Sequence, residues 1–178
     1  MAITVEDGTG VSNAVSYVTV TAADTYHTAR GNSVWVDAVE SDKEIALIRA
    51  TDYVDQNRFA GEKLQDTQAL QFPRYSIYDR NNVDVGSTVP TEIERATFEY
   101  ALAVLGTGDA LVELDSTPDQ ASKAGLTFER TKVGPVEEEL RYDSGAGLRL
   151  KKFYPRADNL IKKSGFLLVS NPGSTVIR

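Results

Sequence analysis

Cysteine is absent from the 178 residues, and histidine, tryptophan and methionine occur once each. Without thiols there is no disulfide framework, no thiolate metal site and no cysteine nucleophile. A Ser-His-Asp relay would have to use His27. That residue lies inside a short helical pattern, with no serine in a nucleophile-elbow setting. A lone histidine there reads as a surface or satisfied core residue. Long apolar runs are also missing; none reaches the about 18 residues that a membrane span requires. The opening MAITVEDGTG carries neither a basic nor an apolar leader pattern, so no signal peptide is expected. No internal repeat or low-complexity tract interrupts the chain.

Positive charge is scarce until the end. Net charge is −7 overall, but residues 1–140 hold 11 Lys/Arg against 24 Asp/Glu, a net of −13. Residues 141–178 hold 8 Lys/Arg against two acids, a net of +6. An acidic body repels phosphate, and only the basic tail attracts it. Hydrophobic residues make up 41% and charged residues 25%, values of an ordinary folded chain.

The remaining chemistry-bearing patterns are weak. Asp52 and Asp55 share roughly one helical face, and Glu137, Glu138 and Glu139 are contiguous, but strand alternation keeps those three from converging on one ion. GTGDAL at 106–111 has two glycines but no Lys-Ser/Thr, and follows a helix, so it reads as a helix end and not a phosphate loop. No metal, no cofactor and no enzymatic activity are expected.

Helical periodicity predicts helices over 21–30 with Thr21 as N-cap, over 41–58 with a Ser41–Glu44 capping box, and over 91–105 with a Thr91–Glu94 capping box. Residues 11–20 read as a short strand or extended lead-in. The expected core stripe of the second helix is Leu47, Ile48, Thr51, Val54 and Asp55. That of the third is Ile93, Ala96, Thr97, Tyr100, Ala101 and Val104. Trp35 should anchor the entry loop. Residues 59–90 look irregular, and so long a connection is often functional. Residues 109–114 add a further turn or two. LTFERTKV (126–133) and VEEELRY (136–142) read as a hairpin around Gly134-Pro135. A Pro-started helix near 155–163 and an apolar stretch from Phe166 to Val169 follow. The expected fold is mainly α: a small helical bundle with an appended β-hairpin and an extended C-terminal tail. It divides into a helical core (1–125) with its long 59–90 loop, a hairpin (126–142) and a basic docking tail (143–178).

Two segments interleave aromatics with cations, the pattern by which single-stranded nucleic acid is stacked and neutralised. One is Phe72, Arg74, Tyr75, Tyr78 and Arg80; the other is Lys151, Lys152, Phe153, Tyr154 and Arg156. The blander alternative is that the rings pack and the cations cover them.

The ordered set SYVTVTAADTYHTARGNSVW (16–35), ALIRATDYVDQNRFAG (46–61), QALQFPR (68–74) and VPTEIERATFEYAL (89–102) resembles a family of tailed-bacteriophage head-tail adaptor, or head-completion, proteins. The same family is catalogued as a DnaT-like single-stranded DNA-binding protein. The Val133-Gly134-Pro135-Val136 turn fits as well. The resemblance covers most of 14–142 and weakens toward the C-terminus. It implies a structural virion protein at the head-tail junction, assembled in the host cytoplasm. Its copies form a ring, typically of twelve, under the portal. The ring extends the channel through which duplex DNA passes without specific binding, and it meets a tail or stopper protein. Neither a membrane nor a cofactor is involved.

Beside that resemblance, several residues take candidate roles. Asp55 with Arg58 or Arg74, together with Gln68, Phe72 and Pro73, would clamp the 59–90 loop onto the second helix. Phe128, Val133, Gly134, Pro135 and Val136 are the candidate hairpin interface. In the tail, Lys151, Lys152, Phe153, Tyr154, Arg156 and Arg178 would choose the portal or neighbouring subunit. Phe166, Leu167, Leu168 and Val169 would supply the buried area. The alternative function is single-stranded DNA binding in phage replication. An unrecognised hydrolase has no motif behind it.

Overall fold

The computed structural model describes residues 3–85, 88–107, 126–133, 136–142 and 154–168. They fall into two compact units, one within 1–108 and 154–178, the other within 109–153. The first unit is helical: α1 (Val20–Thr28), α2 (Ser33–Val36), α3 (Glu40–Asp55), α4 (Thr91–Thr107) and α5 (Pro155–Ser164). It also holds two short strands, β1 (Glu62–Lys63) and β2 (Arg74–Tyr75), paired antiparallel. The second unit contains the hairpin of β3 (Leu126–Val133) and β4 (Val136–Tyr142). The described residues are therefore mainly helical with one substantial antiparallel hairpin. The predicted 109–114 turn lies outside the described residues.

The apolar stripes explain the packing. α3 lies along α4, and α4 packs against α5. Ala46, Ala50, Ala96 and Ala101 are all fully buried, and such small side chains let helices approach closely. Leu47, Val54 and Ile93 fill the remaining space, each contributing about 1.5–3 kcal/mol by leaving water. Thr97 sits in this core because its Oγ1 donates to Ile93 O at 2.9 Å. Trp35, on α2, is fully buried. Its indole N–H donates to Asp24 Oδ1 at 2.7 Å, and Lys43 Nζ meets the same oxygen at 2.9 Å. Burial pushes the Asp24 carboxyl up, but the bonds from Lys43 and Trp35 outweigh it and hold the carboxyl below its usual range. His27 is a core residue: its ring lies 4.5 Å from that of Trp35, and Asn32 Nδ2 donates to its Nδ1 at 2.9 Å.

The helix starts differ from the sequence expectation. α1 is capped by Thr19, whose Oγ1 accepts from Ala22 N at 3.1 Å, and Thr21 lies inside the helix. Neither capping box forms as drawn. Ser41 and Thr91 are both helical, and the first turns of α3 and α4 begin on the carbonyls of Val39 and Pro90. α5 follows the expected rule, with Pro155 in its first turn and Gly165 as left-handed C-cap at φ +89°.

That helix also redraws the domain plan. The sequence reading sets a separate tail from 143, but α5 belongs to the helical unit, with Ala157 and Ile161 buried. After Gly165 the chain pairs with the long loop: Ala60 N donates to Phe166 O at 2.8 Å, and Leu168 N to Arg58 O at 2.9 Å. The 59–90 loop is thus held from both sides, by α3 and by the chain leaving α5.

In the hairpin, Phe128 stands opposite Arg141 and Val133 opposite Val136. The register shifts at Arg130, which faces both Glu138 and Glu139.

Candidate functional site

Two polar constructions organise the helical unit, and the first is the loop clamp. Asp55, near the end of α3, accepts a short hydrogen bond from the Tyr17 hydroxyl and another from Gln71 N at 3.0 Å. Phe72 N in turn donates to the Tyr17 oxygen at 3.2 Å. Burial raises the Asp55 carboxyl to about 6, against the lowering effect of those donors. Burial and the adjacent carboxylate push the Tyr17 phenol well above its ordinary value.

Gln68 is buried and spans the loop: its Oε1 accepts from Gln65 N at 2.9 Å, and its Nε2 donates to Leu70 O and Pro73 O. The Phe72–Pro73 peptide is cis. Phe72 is fully buried among Tyr17, Phe59 and Phe166.

The expected partnership of Asp55 with Arg58 or Arg74 needs correction. Arg74 turns instead to backbone carbonyls. Its Nε donates to Ala60 O at 2.7 Å, its Nη2 to Gly61 O at 2.7 Å, and its Nη1 to Gln71 O at 3.1 Å. A guanidinium satisfies three loop carbonyls at fixed angles, which one carboxylate does not require. Arg58 is exposed and contributes its carbonyl. Asp55, Gln68, Phe72, Pro73 and Arg74 meet at this loop together with Tyr17, while the Arg58 side chain takes no part.

The second construction is a cleft of about 530 Å³ between the loop, the start of α4 and one face of α5. Arg80 and Asn81 line it from the loop, Glu92 from α4, and Arg156, Asn159 and Lys163 from α5. Arg156, Asn159 and Lys163 recur at helical spacing with Leu160 between them, so two turns of α5 present one largely polar face. Asp79 also reaches the cleft, but its Oδ1 is engaged by Asn81 N at 2.8 Å and Val83 N at 2.9 Å. Asp158 fixes α5 from the other side, accepting from Tyr100 Oη and from Tyr154 N, the latter at 2.7 Å. The Arg156 side chain is 78% exposed, in loose contact with Glu99 at 3.9 Å.

The two aromatic-basic segments are thereby sorted. Phe72 and Arg74 are buried in the clamp and unavailable to a ligand. Tyr75 and Tyr78 are 52% and 47% exposed. Arg80, from the first segment, meets Arg156, from the second, at the cleft. Tyr154 packs against Tyr53 and Tyr100.

Of the apolar docking residues, Phe166 must be withdrawn, because it is fully buried against Phe72. Leu167 bridges to Phe59, and Leu168 is exposed. Lys151, Lys152, Phe153, Gly134, Pro135, Val169 and Arg178 lie outside the described residues. Lys163 and Asn159 went unremarked in the sequence; their three- and seven-residue spacing from Arg156 is the signal that would have found them.

Among the described residues no group of three or more His, Asp or Glu is placed to hold a metal ion. Nor is any helix among them long and apolar enough to cross a membrane.

Comparison with known proteins places the chain. A family profile described as "Putative DnaT-like ssDNA binding protein" matches residues 1–177. No curated protein and no solved structure matches the chain. With the family match running from end to end, the chain belongs to the DnaT-like ssDNA binding protein family.

Proposed function

We propose that this protein is a structural virion component, a head-to-tail adaptor whose copies form a ring under the portal, and that it works by shape and not by reactive side chains. The observation that carries the reading is the two-unit build. A helical unit with its long loop clamped is joined in one chain to a unit holding a two-stranded hairpin. Two strands alone are marginal in water, so a hairpin of this kind is stabilised by the surface it packs on. A ring of identical copies supplies one on every subunit through a heterologous contact. The acidic composition of residues 1–140 suits a channel wall, since it offers duplex DNA no counterion-release attraction as it passes. In this reading the ring is dodecameric, sits at the head-tail junction, and meets the portal on one side and a tail or stopper protein on the other.

The test is native mass spectrometry of the chain mixed with the portal protein of the same phage. A closed ring of copies on the portal is the expected result. Virion density lacking the protein at the DNA-exit vertex would overturn the reading.

Single-stranded DNA binding is the second reading, and a specific observation favours it. Arg80, Arg156 and Lys163 converge on one cleft, and Tyr75 and Tyr78 are exposed on the same loop as Arg80. That reading expects oligonucleotide affinity that falls steeply with salt and drops on replacing Tyr75 or Tyr78 by alanine. Binding that ignores both salt and these tyrosines removes it.

A further inference from the structure

We infer that the cleft between the loop and α5 is a docking site for an extended acidic peptide segment of a partner protein, with Arg156 holding one carboxylate and Lys163, helped by Arg80, holding a second. The choice of a protein as the partner rests on the adaptor reading above.

The cations are spaced for two charges. Arg156 and Lys163 lie seven residues apart on α5, which is about 10 Å along the helix. Arg80 joins the Lys163 end, because its backbone N–H donates to Ser164 O at 3.2 Å. All three cations are exposed, and among the described residues neither Arg80 nor Lys163 forms an ion pair. Between the two ends α5 presents Asn159 and the half-buried Leu160. A peptide in the polyproline II conformation repeats its side-chain direction every three residues, about 9 Å apart. Two acids at positions i and i+3 of such a peptide therefore match Arg156 and Lys163.

The rest of the lining decides the class of ligand. Asn81 Nδ2 donates to Asp79 Oδ2 at 3.2 Å, so Asn81 has its carbonyl oxygen left to offer. Glu92, also on the lining, offers acceptors alone. A ligand that suits the cleft brings N–H donors as well as negative charge. An acidic peptide brings both, since each of its residues except proline carries an N–H. A phosphodiester backbone brings charge without donors, and Glu92 repels it. Bases would need rings to stack on, and none of the described residues lining the cleft is aromatic.

Fluorescence anisotropy of the full chain tests the match. The probes are labelled, end-blocked glycine-serine peptides carrying two aspartates set two, three or five positions apart. Spacing of three should bind about fivefold more tightly than the other two. R156E/K163E should weaken that binding by at least about tenfold, and a peptide with lysines in place of the aspartates should bind this variant in preference to the unsubstituted chain. Circular dichroism confirms that the variant is folded, and the spacing series on the unsubstituted chain decides the matter without it.

Three results would overturn the docking site. Affinity independent of spacing would reduce the attraction to diffuse charge. Equal binding by R156E/K163E would place the peptide elsewhere. Oligo-dT that binds more tightly than any of the peptides, and is lost in R156E/K163E, would assign the cleft to nucleic acid. The adaptor reading fails separately: a chain that binds the peptide yet forms no ring on the portal keeps the cleft and loses the ring. A chain that forms the ring and ignores every peptide loses the cleft alone.

Discussion

The Tyr17 hydroxyl donates to the carboxylate of Asp55, and through this pair the segment before α1 is tied to both α3 and the long loop. Asp55 is the acid of this clamp, and burial raises it from 3.8 to about 6. The folded chain therefore binds that proton more tightly than the unfolded chain does. The stability contributed by the protonated form is fully present below about pH 4 and is lost as pH rises through about 6. The gap corresponds to roughly 3 kcal/mol. Asp55→Asn should keep the loop in place and flatten the pH dependence of urea unfolding between about pH 4 and pH 7. An unchanged slope in the variant would assign the dependence to other carboxyls.

Arg74 holds the loop in a different way. Its guanidinium serves the carbonyls of Ala60, Gly61 and Gln71 together. Lysine can point one charge but cannot reproduce that fork. Arg74→Lys should cost about 2–3 kcal/mol, because buried carbonyls are left without donors. Chemical denaturation measures the loss, and hydrogen exchange should show it concentrated at 59–75. A cost below about 0.5 kcal/mol would mean that water replaces the fork without penalty.

Gly61 supports the same turn by its lack of a side chain. It sits at φ +72°, and a Cβ there would lie 2.1 Å from the Tyr75 carbonyl oxygen. Gly31 has a similar φ of +66° but open space around the site. Gly31→Ala should cost about 1–2 kcal/mol, the left-handed backbone penalty alone. Gly61→Ala should cost at least about 2 kcal/mol more, because backbone must move to admit the methyl. Thermal melts of the two variants compare the effects directly, and equal losses would show that the loop yields freely.

Much of this architecture was legible in the sequence, for a physical reason. The predicted stripe of α4 is buried throughout, and that of α3 is buried at Leu47, Thr51 and Val54 but only half-buried at Ile48 and Asp55; helical periodicity is a local property, which is why most of it is readable. Helix starts were less legible. Ser41 and Thr91 have the right chemistry for caps, but a side-chain cap is worth only about 1 kcal/mol, and the chain's path past Trp35 and Pro90 decides where the turn begins. The clamp residues were readable and their partners were not. Arg74 is paired with backbone carbonyls, which every residue has and no motif marks. The cleft was hidden for a related reason: Arg80 and Lys163 are distant in sequence, and backbone pairing of 164–168 with the loop brings them to one cleft.

Phe166 tests how far the cleft depends on that pairing. Its ring is fully buried against Phe72, while its carbonyl accepts from Ala60 N. Just before it, Ser164 O accepts from Arg80 N at 3.2 Å, a backbone bond that joins the two walls of the cleft near Lys163. Truncating Phe166 to alanine leaves a cavity beside Phe72 and should cost about 3–5 kcal/mol. The helix pair of α3 and α4 keeps its own core, so α4 should stay protected from hydrogen exchange. The amides of Ala60, Arg80 and Leu168 should exchange much faster, since they depend on the docked segment. Equal acceleration at α4 and at these three amides would show that the loop and α5 are not a separable layer but part of one cooperative unit.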